Sequence, residues 1–286
     1  MKKGLFYLFL TLMLSVLVAC GSSDVGTDEP AEETPAEEAP DGEEMDGEAE
    51  GETDATSDDQ DTYLVATDNN YIPFEFLDNE TGELVGFDID LMQAIADEAG
   101  FNVEFEQMEF AGIIAAIASE RFDMAIAGMT ITEERAESID FSEPYYDAGL
   151  ILAVRADNEE IQSIDDVDGK VVATRSGSTS EDYLNSNTEA TVEAFPEITE
   201  AYQNLLSGRA DAALYDVPNV LYYADTETGG EITPVGDLLT GEQYGIAFPK
   251  GSELKAQVDE ALATLMENGT YGDIYEEWFG ERPEGM

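Results

Sequence analysis

YLVATDNNYIPF (63–74), followed by GFDIDLMQAIADEAG (86–100), sets the reading of the whole chain. Tyr63 to Thr67 is a short apolar run of strand length, halted by Asp68-Asn69-Asn70. From Asp88 onward the period changes: Ile89, Met92, Ile95, Ala96 and Ala99 recur at helical spacing, and Gly100 supplies the stop. A buried strand feeding a helix is the opening unit of a parallel sheet covered by helices.

The alternation continues. Val103-Glu104-Phe105 reads as a strand, Gly112 to Ser119 as a small-residue helix and Met124 to Ala127 as another strand. A second series starts near Leu150, with strands at Ile151–Val154, Val171–Ala173, Ala194-Phe195 and Ala212–Leu214. Helices are expected from Thr179, from Ile198 to Leu206 and from Val217 to Ala224. One more strand, Gln243 to Phe248, precedes two amphipathic helices, Leu254 to Met266 and Tyr271 to Trp278. The chain accommodates two α/β lobes of roughly 100 residues each. Periodicity alone does not say which lobe receives the last two helices.

The N-terminus is an export signal. Lys2-Lys3 precede an apolar run, Leu5 to Val18, that is shorter than the ~20 residues a membrane span needs. Leu17-Val18-Ala19-Cys20 resembles a bacterial lipobox, which makes Cys20 the acylation site and residues 1–20 the leader. The alternative is an ordinary secretory signal with an incidental cysteine. Cys20 is the only cysteine, so the mature fold has no internal disulfide and depends on packing. Residues 21–61 hold 18 acids and no base, which predicts a disordered, solvated tether.

Residues 62–286 carry 48 acidic and 9 basic residues. That balance excludes nucleic acid as a partner, because phosphates demand Lys and Arg. It also predicts self-repulsion relieved by salt, as expected of a protein working at high ionic strength. With no histidine and no thiol in the mature chain, His-based triads and zinc–thiolate chemistry are absent. Asp165 to Gly169 looks faintly like a calcium loop, but Ile164 and Arg175 fall at ligand positions, so no metal is expected. Arg175 to Ser180 lacks the lysine of a phosphate loop. No cofactor is expected either.

Four segments remain that carry chemistry: Asp68 to Phe74, Gly128 to Arg135, Arg175 to Thr179 and Leu214 to Asp216. They offer arginines, carboxylates, aromatic faces and backbone amides, the groups needed to hold a free amino acid. Read from the residues alone, a Glu-Glu-Arg helix start at 133–135 is also a common solvated surface. Asp216 before Val-Pro is also a common helix cap.

The segments VATD, PFEF, GFDIDLMQAIA, AGMTITEER, DFSEPYY, SGSTSEDY, QYGIAFPKGS and NGTYGDIYEEWFG occur in order over some 220 residues. In that arrangement the chain resembles the family 3 solute-binding proteins of polar amino-acid ABC transporters, most of all the glutamine binders. The resemblance implies an α/β, two-lobed type II periplasmic-binding-protein fold. Each lobe is a mainly parallel sheet flanked by helices, joined by two hinge strands. It places residues 62–146 and 244–286 in lobe 1 and 150–240 in lobe 2, with hinges near Tyr145–Gly149 and Leu239–Gln243. It implies a monomer outside the cytoplasm, lipid-anchored to the cell membrane, that delivers its amino acid to a transporter permease.

The resemblance also assigns roles. Arg135 meets the ligand's carboxylate with a bidentate guanidinium. Thr130 adds a backbone amide, and the helix opening at Ser178-Thr179 adds more. Asp216 takes the ammonium, helped by the carbonyl of Gly128, and Tyr71 and Phe110 flank the carbon chain. Specificity falls to Asp68, Arg175 and Tyr215: an acceptor and a donor together suit a carboxamide, which favours glutamine. Arg175 stands where glutamine binders have lysine, Tyr215 where they have histidine and Thr179 where they have glycine. Those departures leave glutamate, asparagine and other polar amino acids open, as does pairing of Arg175 with a protein carboxylate. Two other readings share the architecture. A cyclohexadienyl or arogenate dehydratase-like enzyme needs a general acid in the cleft, for which Asp68 and Asp216 are the candidates. A receptor's sensor module needs a further membrane segment, and none precedes Met286.

Overall fold

A computed structural model describes residues 60–283. The leader 1–20 with Cys20, and the acidic stretch 21–61 except its last two residues, lie outside the described residues. The first strand, β1 (Thr62–Thr67), stands where the apolar run predicts it. A small antiparallel sheet follows, which periodicity did not reveal because its strands are so short: β2 (Asn70–Tyr71), β3 (Glu75–Leu77) and β4 (Leu84–Val85). The helix α1 (Phe87–Ala99) ends at Gly100, whose φ of 79° lets its N–H reach Ala96 O. Its buried face is Phe87, Leu91, Met92, Ile95 and Ala96, while Ile89 and Ala99 are only half-buried.

Then come β5 (Asn102–Gln107), α2 (Phe110–Ala118), β6 (Met124–Ala125), α3 (Glu133–Ser138) and β7 (Ile139–Phe141). The helix α2 opens two residues earlier than expected and so carries Phe110 as its first residue. The chain passes through β8 (Tyr146–Ala148) into β9 (Leu150–Arg155), β10 (Val171–Arg175), α4 (Thr179–Asn187) and β11 (Thr191–Phe195). It continues with α5 (Ile198–Leu206), β12 (Ala212–Asp216), α6 (Val217–Tyr222) and β13 (Ile232–Val235). It returns through β14 (Glu242–Tyr244) to β15 (Ala247–Pro249), α7 (Leu254–Asn268) and α8 (Thr270–Phe279).

Two five-stranded sheets result. One has the order β5-β1-β6-β15-β7, the other β11-β10-β12-β9-β13. β5, β1 and β6 run parallel, as do β11, β10 and β12, whereas β15 and β9 run antiparallel to their neighbours. Each antiparallel strand directly follows a connecting strand. The connectors β8 and β14 pair with each other, Tyr146 opposite Tyr244, so the two crossings form one ribbon. Two mainly parallel sheets joined by this ribbon constitute the two-lobed type II architecture.

The closing helices pack on α1. Trp278 donates to Asp90 at 2.7 Å, and the Phe87 ring meets those of Tyr271, Tyr275 and Phe279 at 5.3–5.9 Å. That docking is absent from the periodicity because it is written in which aromatic meets which. The 165–169 stretch is a turn: a 3-10 segment, Ile164–Asp166, follows Ser163, and the Asp166 carboxylate accepts from the amides of Gln162 and Ser163.

Candidate functional site

Parallel strands point their C-terminal ends at a common crevice, and this is where α/β sheets place ligand groups. Here β1 leads into Asp68, β6 leads into Gly128–Thr130, β10 ends at Arg175 and β12 ends at Asp216. All ten side chains or loops singled out from the sequence lie in one connected network between the two sheets.

Arg135 is 7 % exposed, so the solvated reading of its helix start does not hold. Thr132 caps α3 by accepting from the Arg135 amide, which fixes the backbone from which the guanidinium projects. Its Nη1 donates to Thr130 O at 2.7 Å, and its Nη2 crosses the crevice to Gly177 O at 3.1 Å. Burial pulls the Arg135 pKa down from its ordinary value, against the opposing pull of Asp216 and other acids.

Phe110 stands between two cations, with Arg135 5.6 Å and Arg175 4.9 Å from its ring centre. Arg175 and Asp68 form a buried ion pair at 2.5 Å across the crevice, their side chains 1 % and 3 % exposed. Arg175 also donates to Pro196 O at 3.2 Å and to the Tyr215 hydroxyl at 3.4 Å. Burial alone would lower the Arg175 pKa, but Tyr215 and Asp68 outweigh it and hold the group firmly charged.

Asp216 occupies the N-cap position of α6, yet its side chain makes no capping bond. Instead its Oδ2 accepts from Tyr71 at 3.1 Å and from Tyr244, whose hydroxyls are 2.5 Å from each other. Two hydroxyl protons cannot serve three such contacts, so the triad lacks a donor unless Asp216 is protonated or a further N–H arrives. Burial, followed by the charge of Glu242, raises the Asp216 pKa to about 7. Tyr71 stacks on Phe74 with ring centres 4.9 Å apart and meets Tyr215 edge-on at 5.6 Å. Gly128, at φ 49°, lies so close to the Tyr71 ring that an added Cβ would fall 2.3 Å from it. The Gly128 amide donates to Asp88 at 2.7 Å.

Several contributors escaped the sequence reading. Glu242 accepts from the hydroxyls of Thr130 at 2.9 Å and Thr179 at 3.0 Å, one from each side of the crevice. Asn219 reaches Ile72 O at 2.6 Å and accepts from Tyr202. Tyr244 lies within the quoted QYGIAFPKGS segment, a signal that could have raised it; Glu242 falls inside the expected hinge 239–243, but nothing in the sequence marks its side chain or that of Asn219 within α6.

Residues 63–281 match the family model described as bacterial extracellular solute-binding proteins, family 3. The L-cystine-binding protein TcyA of Bacillus subtilis is 29 % identical over 282 residues, covering 98 % of both chains. The arginine-binding extracellular protein ArtP of the same bacterium is 30 % identical over 290 residues, covering 99 % of this chain and all of ArtP. Among solved structures, an ancestral arginine-binding protein bound to glutamine is 45 % identical with a TM-score of 0.72, covering 78 % of this chain and 99 % of that one. These relatives are binding proteins rather than enzymes, and Asp68, one of the two acids a dehydratase would need, is locked in an ion pair. With a matched family model over nearly all its described residues, the chain belongs to the family 3 bacterial extracellular solute-binding proteins, the amino-acid-binding components of ABC transporters.

Proposed function

We propose that this protein captures glutamine by closing its two lobes around it, and that Cys20 carries the lipid that tethers it outside the cell. The observation that carries the glutamine reading is the buried Asp68–Arg175 pair. The pair is electrically neutral and offers both acceptor and donor capacity, which is what a carboxamide needs. A lysine, arginine or glutamate side chain would add a third charge to a compensated pair and leave one charge unpaired in a dry site, at a cost of several kcal/mol.

The backbone of the ligand is served by the opposite end of the crevice. Arg135 takes the carboxylate, and the α-ammonium supplies Asp216 with the donor its tyrosines cannot provide. Lobe closure is supported by bonds that cross the crevice: Arg135 to Gly177, Arg175 to Asp68, and Asn219 to Ile72. Differential contacts of that kind let a ligand shift an open–closed equilibrium.

Calorimetric titration with glutamine, glutamate, arginine and cystine tests the assignment. Glutamine is expected to bind at least tenfold tighter than the others. Preference for arginine or cystine would overturn the side-chain reading while leaving the Arg135–Asp216 clamp in place.

A further inference from the structure

Behind the ligand crevice lies a second pair of acids. The strand β3 buries its carboxylate and exposes its leucine: Glu75 is fully buried, whereas Leu77 is 38 % exposed. Glu75 lies beside Asp88, which is also fully buried at the start of α1 and whose amide donates to the neighbouring Phe74 O at 2.9 Å. Among the described residues no N–H or O–H group reaches either Glu75 oxygen or Asp88 Oδ1. Two ionised carboxylates have no proton to share, so only a proton on one of them can join these orphaned oxygens. The second oxygen of Asp88 is fully used, accepting from the Gly128 amide at 2.7 Å and the Tyr145 hydroxyl at 2.9 Å. Gly128 supports Tyr71 in the crevice, and Tyr145 precedes the connecting ribbon.

We propose that Glu75 is a positioning residue that works as a neutral acid. It donates its proton to Asp88 Oδ1 and thereby holds the carboxylate that fixes the Gly128 loop and the entry to the ribbon. An ionised Glu75 would set two negative charges against each other in a dry site, and Asp88 could no longer hold both partners in place. The charged groups around the pair agree with this order. Burial first, then the charges of Asp88 and Asp68, push the Glu75 pKa well up, and Arg175 only partly opposes them. Asp88 is raised to about 7 by burial, offset by its bonds to Gly128, Tyr145 and Glu75. Tyr145 and Tyr271 facing Asp88 are themselves shifted upward, so they remain neutral donors through the physiological range.

The effect on affinity rests on the glutamine reading; the proton itself does not, and the experiment separates them. Melting temperature of the ligand-free protein is followed from pH 7.5 to 9.5 for the parent, E75Q and E75L. Folded Glu75 keeps a proton that the unfolded chain has already lost, so the parent loses stability as pH rises. Glutamine at 75 donates permanently and does not titrate, so the E75Q decline is expected to be less than half the parent's. Equal slopes for parent and E75Q overturn the proposal, whether or not E75L folds. In glutamine titrations at pH 7, E75Q is expected to bind at least tenfold tighter than E75L, since only it restores the donor; equal affinities also overturn it. If the parent binds no amino acid, the glutamine reading fails and the melting slopes alone decide on the proton.

Discussion

Replacing Asp68 by asparagine keeps the side chain's size and removes its charge, leaving Arg175 buried without its counter-ion whenever the crevice is shut. The pair spans 2.5 Å with almost no solvent exposure. At an effective dielectric constant of about 20 its Coulomb attraction is roughly 6 to 7 kcal/mol, much of it opposed by the desolvation of both ions. Removing one partner of such a pair typically costs about 3–5 kcal/mol, because the other is left uncompensated. Asp68 follows a strand of one sheet and Arg175 ends a strand of the other, so the cost falls on closure more than on the folding of either lobe. Glutamine affinity is therefore expected to fall by about 150- to 4,000-fold, at about 1.4 kcal/mol per tenfold. Calorimetry of D68N, R175M and the double variant measures the coupling, expected at no less than about 2 kcal/mol. Freeing Arg175 should also favour an anion, so the glutamate-to-glutamine affinity ratio of D68N is expected to rise at least tenfold. D68N binding glutamine within fivefold of the parent, with an unchanged ratio, would refute the reasoning.

Three further outcomes are expected. R135A should lose glutamine binding by at least about 3 kcal/mol, since the ligand's carboxylate would be buried without its bidentate partner; calorimetric affinity near the parent's would remove Arg135 from the site. Asp216 holds its proton up to about pH 7 in the empty protein and near 3.8 when unfolded, so its contribution of about 4 kcal/mol is present at low pH and lost as pH rises through 7. The incoming ammonium ionises it, so binding at pH 6 should release close to one proton, read by calorimetry in buffers of different ionisation enthalpy and abolished in D216N. Finally, the surplus of 48 acids over 9 bases in residues 62–286 should make the melting temperature climb between 0.1 and 2 M salt; a flat or falling curve contradicts a high-salt adaptation.

The sequence alone determined the class of fold and most of the residues in the crevice. Strand and helix periods are local properties, so β1, α1, α5 and α7 were legible within a residue or two. Arg135, Asp216, Phe110 and Arg175 could be singled out through the resemblance to the family's segments, since the residues alone left Arg135 open as a solvated surface and Asp216 as a helix cap. What each does depends on neighbours remote in the chain. Asp68 and Arg175 are 107 residues apart, Tyr71 and Asp216 145, and Trp278 and Asp90 188. Only tertiary packing brings such pairs within reach, and only burial turns them from solvated charges into interactions worth several kcal/mol. The same holds for Glu75: PFEF gives no sign of which way its carboxyl turns, and only the packed lobe shows that it is buried with no partner among the described residues.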